Sequence, residues 1–274
     1  MARGDGLVVV ALAKDGLTGE DVMVVAELKR NEEGNLKTAV WPLVDHGAGP
    51  FYTYGPQQAA VHGDAVYVVG RRGLEEDFTA IDTIEPFVMK LSLAEGQQGQ
   101  ILWTKPEPDT IYMKWYTDLV VRQNGDVIAV GNYIGNDPAG YMFISKFTSD
   151  GELVWTETGQ DAIPEDYFSG CLDEGYGWAC FTHSAADSVA IPMSSEGVGV
   201  VPEDARFVVA GKFDQRPWVA QYMDTGDGAE VVWEWKLPYT GFVDAISVDE
   251  HGYVYAVADD GGPSTDLYIH KLMP

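Results

Sequence analysis

Acidic side chains that could bind a cation are concentrated in the polar segments that follow the apolar runs of this sequence. These residues are Asp15, Glu20, Asp21, Glu75, Glu76, Asp77, Asp82, Asp137, Asp214, Asp259, Asp260 and Asp266. Aromatic residues instead precede apolar runs, at Tyr52, Tyr54, Tyr112, Trp115, Tyr116, Tyr167, Phe168, Tyr239 and Phe242. Carboxylates attract cations by Coulomb forces, and aromatic rings bind cations or stack against ligands. A fold that brings both sets to one rim would bind a cation, an amine-bearing ligand or a sugar there.

The same two sets also have a purely structural interpretation. Acids commonly solvate loops, and aromatic rings commonly seal the inner part of a core. The sequence leaves both interpretations open.

Calcium is a narrower version of the cation hypothesis. The segment 259–266 supplies oxygen ligands from Asp259, Asp260, Ser264, Thr265 and Asp266. It lacks the alternating aspartates and the distal glutamate of an EF-hand loop. The sequence therefore predicts no resident cofactor, with calcium in this segment as a weak alternative.

No familiar catalytic motif occurs in the chain. Gly-x-Ser-x-Gly, a phosphate-binding glycine loop, His-Glu-x-x-His and zinc-type Cys/His spacing are all missing from the sequence. The five histidines are scattered, at His46, His62, His183, His251 and His270. These observations favour a non-enzymatic protein that binds a ligand or a protein partner. The alternative is a hydrolase or lyase that uses paired carboxylates in a central funnel.

The charge of the chain is strongly negative. Asp and Glu number 43 against 17 Lys and Arg, for a formal net charge of −26. Such a surface repels phosphate groups, so nucleic acids and anionic membranes are poor partners, whereas basic proteins and cations are favoured. Adaptation to a salty or extracellular setting is the favoured explanation of the charge.

A repeated segment of about 16 residues indicates the fold. Residues 118–133 and 198–213 align without a gap, and related copies begin near Ala59, Ser169 and Asp244. Each copy reads as strand, polar turn, strand, and turns such as Asn124-Gly125 favour tight hairpins. The copies are therefore predicted to be β-hairpins.

A second segment follows most copies of the first. It reads as an apolar strand, a turn and a strand that ends in tryptophan, at 87–103, 143–155 and 218–233. Two hairpins make a four-stranded antiparallel blade, and such blades stack radially because one blade cannot bury both of its faces. Trp41, Trp103, Trp155 and Trp233 recur at the repeat period and are predicted to pack between blades.

In this pattern of blades and tryptophans the chain resembles the SBBP-type and PQQ-like β-propeller repeats. The resemblance covers nearly the whole chain and implies an architecture, with no activity attached. The Ala-x-Asp-x-x-Thr-Gly-x-x-x-Trp pattern of quinoprotein enzymes is not matched. The resemblance therefore implies no quinone cofactor.

The chain is accordingly predicted to be all-β, a single β-propeller domain over 1–274. The predicted units are 5–43, 57–105, 116–157, 168–195, 197–237 and 243–273. Six blades fit best, and five or seven stay open because the fourth unit is short and lacks its tryptophan strand. The first unit begins at its second strand, and the last one stops at its third.

Two further features concern the compartment. Cys171 and Cys180 flank a turn-like segment, where they form either a cross-strand disulfide or two buried thiols. No apolar run approaches 18 residues, and residues 1–12 show no signal-peptide cleavage pattern. The protein is therefore either cytosolic or made with a leader that precedes residue 1. An extracytoplasmic location, which is secreted, periplasmic or lumenal, is the favoured expectation.

Overall fold

The computed structural model describes most of the predicted strands. The described residues are 2–3, 6–14, 21–30, 36–40, 52–74, 85–106, 113–134, 140–158, 184–191, 206–214, 216–259 and 267–273. All regular elements among them are β-strands, in two compact units, Met1–Tyr116 and Thr117–Pro274. The single-domain prediction over 1–274 stays a prediction.

The first unit contains two antiparallel sheets whose strands pair in chain order. The first sheet is β1 (Ala2–Arg3), β2 (Gly6–Lys14), β3 (Asp21–Arg30) and β4 (Leu36–Val40). The second is β5 (Tyr52–His62), β6 (Ala65–Leu74), β7 (Glu85–Ser92) and β8 (Ile101–Pro106). A shared core buries Val8, Val25, Val68, Phe87 and Met89.

The second unit contains three antiparallel sheets, again paired in chain order. The third sheet is β9 (Met113–Val121), which spans the boundary between the units, β10 (Val127–Ile134), β11 (Gly140–Phe147) and β12 (Leu153–Thr158). The fourth is β13 (Ser184–Ala190), β14 (Arg206–Phe213), β15 (Arg216–Asp224) and β16 (Ala229–Lys236). The fifth is β17 (Val243–Val248), β18 (Val254–Asp259) and β19 (Leu267–Leu272).

The predicted fold class, an all-β propeller of antiparallel blades, is confirmed; four of the described sheets have four strands and the fifth has three. The number of blades stays a prediction. Among the described residues, no helix is long and apolar enough to cross a membrane.

The first repeated segment forms its predicted hairpin in three copies, near Ala59, at 118–133 and near Asp244. In the copy at 198–213 the described strand, β14, pairs with β13 instead, and the copy near Ser169 lies outside the described residues. Gly125 and Gly252 have φ values of 87° and 81°, a region that favours glycine, and they turn β9 into β10 and β17 into β18. The Arg122 N–H donates to Asp126 O at 2.8 Å and closes the first of these turns.

Two predicted units differ from the structure. The first sheet begins with β1 at 2–3, which pairs with β2, so the first unit does not start at its second strand as predicted. The unit predicted at 197–237 corresponds to the fourth sheet, whose first described strand is β13, at 184–190. This strand was predicted to belong to the short fourth unit. β13 pairs with β14, so strands assigned to two predicted units share one sheet. The separation in sequence explains the difference, because 15 residues lie between Ala190 and Arg206 and a repeat search does not detect pairing across such a gap.

Two of the recurring tryptophans pack between sheets as predicted. Trp155 is 6% exposed and lies in a core shared by the third and fourth sheets, stacked on Phe207 with ring centroids 6.4 Å apart. Trp233 packs against the core of the fourth and fifth sheets. Trp103 meets Tyr67 of its own sheet edge to face at 6.1 Å, so its packing between blades stays a prediction. Trp41 lies outside the described residues.

Asp224, the last residue of β15, ties the fourth sheet to the third. Its Oδ2 accepts hydrogen bonds from the Arg122 guanidinium and, at 2.7 Å, from Lys146 Nζ. Its Oδ1 accepts from Trp155 Nε1 at 3.2 Å and from the Gly226 N–H at 2.9 Å. The carboxylate is 2% exposed, so four donors replace the water that it loses on folding.

Candidate functional site

Two carboxylates of the second unit are placed by β-bulges in the first strands of their sheets. In β13, Ala186 pairs with Gly211 and Ser188 with Ala210, which leaves Asp187 as the extra residue. In β17, Asp244 is the extra residue between two paired neighbours in the same way. A bulge turns one side chain away from the regular alternation and is frequent beside functional sites.

Asp187 is half-buried and has a fixed hydrogen-bond partner. Asn132, near the end of β10, accepts a hydrogen bond from the Ala186 N–H on its Oδ1 at 2.9 Å. The amide NH₂ of Asn132 is then the group that donates to the Asp187 carboxylate. Asp187 is thereby held at the junction of the third and fourth sheets.

The surroundings of Asp187 disfavour its charged form. Burial raises its pKa to about 6, and the charge of Asp244 adds to this effect. The hydrogen bond from Asn132 and the ammonium group of Lys212 oppose it without cancelling it. Asp187 therefore titrates close to neutral pH, as functional carboxyl groups often do.

The pKa values of Asp244 and Lys212 are also shifted by desolvation, and the charge of Asp259 contributes to the shift at Asp244. Desolvation raises the pKa of Asp244, and so does the charge of Asp259. Desolvation lowers the pKa of Lys212, although the charge of Asp187 opposes that shift. We call Asn132, Asp187, Lys212, Asp244 and Asp259 the acidic rim cluster. Its three carboxylates outnumber its one ammonium group, that of Lys212, which interacts with Asp187.

Asp259 is held in place by the connection that leads into β17. The residue is 7% exposed, and its N–H donates to Phe242 O at 3.0 Å. Gly241 passes so close that a Cβ there would lie 2.1 Å from Asp259 O, which only glycine allows. The segment that leads into β17 is therefore packed directly against the end of β18.

The predicted rim is described only in part. Asp259 lies in the acidic rim cluster. Tyr239 packs against the core of the fourth and fifth sheets, and its hydroxyl lies 3.2 Å from His270 Nε2, which agrees with a structural role. Trp115 is half-buried on β9, and Tyr54 lies on β5. The structure also describes five other predicted residues: Asp21, Tyr52, Tyr116, Asp214 and Phe242. The remaining predicted residues lie outside the described part of the chain: Asp15, Glu20, Glu75, Glu76, Asp77, Asp82, Tyr112, Asp137, Tyr167, Phe168, Asp260, Asp266, Cys171 and Cys180.

Sequence reasoning missed four members of the acidic rim cluster. Asp244 had a usable signal, because it is the first residue of a repeat copy. Asp187, Asn132 and Lys212 had none, because their meeting depends on a bulge and on pairing between distant segments.

Within the described ranges, no group of three or more His, Cys, Asp or Glu residues is arranged to hold a metal ion. Most of the predicted calcium segment, 260–266, lies outside those ranges. The arrangement of the cluster can attract an organic cation, and Asp187 can exchange a proton near neutral pH.

Comparisons with known proteins give structural similarities only. No protein family matches the chain, and neither does any curated protein. A solved structure of a protein from Lactobacillus plantarum has a TM-score of 0.48 at 13% identity, covering 99% of this chain and 69% of that one. A subtype N10 neuraminidase-like protein of a little yellow-shouldered bat isolate has a TM-score of 0.48 at 10% identity, covering 97% and 76%. Drosophila Semaphorin 1a, extracellular domains 1-2, has a TM-score of 0.45 at 10% identity, covering 99% and 65%.

These similarities are too distant to transfer an activity, ligand or partner. The resemblance to SBBP-type and PQQ-like repeats has support at the level of propeller-type architecture, and its finer assignment stays a prediction.

Proposed function

We propose that this chain is a non-enzymatic binding protein of the β-propeller class, and that its acidic rim cluster takes the ammonium group of a ligand or protein partner. The observation that carries the proposal is the mutual destabilisation of the carboxylates, because Asp244 raises the pKa of Asp187 and Asp259 raises that of Asp244. A bound cation relieves this repulsion.

The chemistry of the cluster favours an organic cation that donates hydrogen bonds. Asp187 and Asp244 offer carboxylate acceptors, and Lys212 already holds an ammonium group near Asp187. Charge-assisted hydrogen bonds are the stronger ones, and they give such a site direction as well as attraction.

Calorimetric titration with 1,4-diaminobutane tests the proposal. We expect saturable binding near neutral pH and a loss of about tenfold in affinity in the double variant Asp187→Asn/Asp244→Asn, because two partly desolvated charges are removed. The matched control is Asp150→Asn/Asp227→Asn, which removes the same charge from two exposed turns. Equal affinities of the two double variants would contradict the proposal, and so would the absence of binding to the wild-type chain.

A second candidate is a hydrolase or lyase in which the same carboxylates move protons. It is favoured by one observation, the pKa of about 6 at Asp187, which suits a general acid beside a second carboxylate. Turnover of 4-nitrophenyl glycosides that disappears in Asp187→Asn would establish glycoside hydrolysis. Binding of the diamine without turnover of that panel supports the binding function.

The excess of acids over bases, 43 against 17, motivates two further proposals. We infer an extracytoplasmic location, where salt screens the self-repulsion, and a basic protein partner in a larger assembly. Purification from the native source tests both. A stoichiometric basic partner recovered from an extracytoplasmic fraction is the expected result, whereas a free protein in the cytosolic fraction would contradict it.

A further inference from the structure

A groove in the second unit, separate from the acidic rim cluster, has the composition of an ammonium site. Its volume is about 500 Å³, which is within the range of small-ligand pockets. The third and fourth sheets line it with both aromatic rings and carboxylates. The residues that give the groove this character are Phe213, Trp218, Tyr222, Glu157, Glu234 and Lys236.

The aromatic rings of the groove pack against one another, and two of them are largely buried. Trp218 is 2% exposed and Tyr222 is 6% exposed, and their rings meet edge to face with centroids 6.4 Å apart. Phe213 lies against Trp218 at 6.1 Å. Aromatic faces fixed in this way attract cations without a large entropic penalty.

Two carboxylates face the same space. Glu234 Oε2 accepts a hydrogen bond from Trp218 Nε1 at 3.3 Å, and Glu157 Oε1 accepts one from the Ala229 N–H at 3.4 Å. Burial raises the pKa of Tyr222 above its usual range, and the charges of Glu234 and Glu157 raise it further. Both carboxylates therefore act on one point of the groove, although they come from different sheets.

The chain itself places an ammonium group in the groove. Lys236 Nζ lies 4.1 Å from the centroid of the Phe213 ring and 3.4 Å from Glu234 Oε1. A cation over an aromatic face with a carboxylate beside it is the arrangement that amine-binding sites use. Lys236 therefore occupies part of the groove in the way that the ammonium group of a bound ligand would.

We propose that this groove binds a primary alkylammonium group, which displaces Lys236 and lies between the aromatic rings and the carboxylates of Glu157 and Glu234. The group belongs to a small amine or to a lysine side chain of a protein partner. The proposal is independent of the acidic rim cluster, because none of the rim residues lines the groove.

The Trp218 indole N–H is the reporter, because it donates to Glu234 inside the groove. Its ¹H–¹⁵N cross-peak, assigned by its loss in Trp218→Phe, is followed while n-butylammonium or the neutral n-butanol is added. We expect a saturable shift with n-butylammonium and none with n-butanol. Calorimetry on the same samples gives the affinities without any resonance assignment.

Two pairs of variants test the roles of the charged residues. Lys236→Ala removes the tethered competitor and should tighten n-butylammonium binding about fivefold, whereas Lys271→Ala, which also uncovers an aromatic ring, should not. Glu157→Gln should weaken binding about threefold, whereas Glu230→Gln removes an equal charge from an exposed position on β16 and should leave affinity unchanged.

Three results would each overturn the proposal. They are equal shifts with n-butylammonium and n-butanol, equal affinities of Lys236→Ala and Lys271→Ala, and equal affinities of Glu157→Gln and Glu230→Gln. The peptide acetyl-Gly-Lys-Gly-amide then identifies the source of the ammonium group. Tighter binding than n-butylammonium supports a partner lysine, and weaker binding supports a small amine.

Discussion

Asp187 illustrates how a binding group can reduce the stability of the fold that holds it. Its folded-state pKa of about 6 lies above the value of 3.8 for a free aspartate. Between these two pH values the folded chain holds a proton that the unfolded chain has lost, so the free energy of unfolding falls as pH rises through this window. Above it, the ionised carboxylate remains a constant destabilising contribution.

Asp187→Asn should therefore stabilise the protein at about pH 7.5. Asparagine keeps the shape and can accept the hydrogen bond from Asn132 without carrying the charge. We expect a gain of about 1–2 kcal/mol in the free energy of unfolding after allowance for solvent screening. The gain should disappear near pH 4, where Asp187 is protonated in the wild-type fold. Urea denaturation at the two pH values measures it.

Asp249→Asn provides a control of opposite sign. Backbone N–H groups of Tyr253 and His251 and the hydroxyl of Tyr255 donate to Asp249, and they lower its pKa against the opposing effect of desolvation. This substitution should lower stability near neutral pH, and its effect should fade as pH falls. If both variants shifted stability in the same direction, the electrostatic account of Asp187 would be wrong.

At the residue scale, the sequence located only part of the site. Asp259 was predicted because it follows an apolar strand in an acidic loop. Asp187 and Asp244 could not be predicted as a pair, because each depends on a bulge that only the pairing with β14 or β18 defines. One residue of register changes the face on which a side chain lies.

The first strands of three sheets share the bulge as a structural element. Gln57 in β5 is the extra residue between Pro56 and Gln58, as Asp187 is in β13 and Asp244 in β17. The bulge thus belongs to the repeated unit, whereas the carboxylate at the bulge occurs only in the second unit among these three strands. We infer that the repeated fold provides the bulge and that the side chain at the bulge determines what this position can bind.

Asp224 carries the clearest stability prediction at the scale of elements. Asp224→Asn removes the negative charge that Arg122 and Lys146 share. Breaking a buried ion pair on one side commonly costs about 3–5 kcal/mol. We expect a loss of about 3 kcal/mol at neutral pH, measured by urea denaturation.

The pH dependence of that loss has a definite sign. Burial disfavours the charge of Asp224, but its hydrogen bonds with Lys146, Gly226 and Arg122 outweigh burial and lower its pKa. The stabilisation is therefore complete above the pKa of an unfolded aspartate and is lost as pH falls through the lower folded value. The exposed Asp227→Asn serves as the control and should change stability little. A loss as large in Asp227→Asn would contradict this role of Asp224.

The elements themselves were more predictable than the site. Hairpins such as β9–β10 and β17–β18 follow from local turn chemistry and alternation, and the structure confirms them. The pairing of β13 with β14 was not predictable, because 15 residues separate Ala190 from Arg206 and the strands are assigned to different repeat copies. Contacts between distant segments are decided by packing, which a repeat search does not see.

At the scale of the whole molecule, the net charge of −26 supplies a long-range attraction for cations. This attraction acts at every acidic surface, is screened by salt and has no preferred position. The acidic rim cluster differs because Asp244 raises the pKa of Asp187 and Asp259 raises that of Asp244, which gives the cluster a distinctive pH response. The pH response therefore distinguishes specific binding at the cluster from the general attraction of cations to the acidic surface.

The most direct test of the central claim is the affinity for 1,4-diaminobutane, measured by calorimetry from about pH 5 to pH 7.5. The diamine keeps both charges throughout this range, because alkylammonium groups titrate near pH 10. We predict an affinity that rises as pH increases through about 6, where Asp187 ionises, and a rise that Asp187→Asn abolishes. An affinity that does not change with pH, or an equal rise in Asp187→Asn, would contradict it.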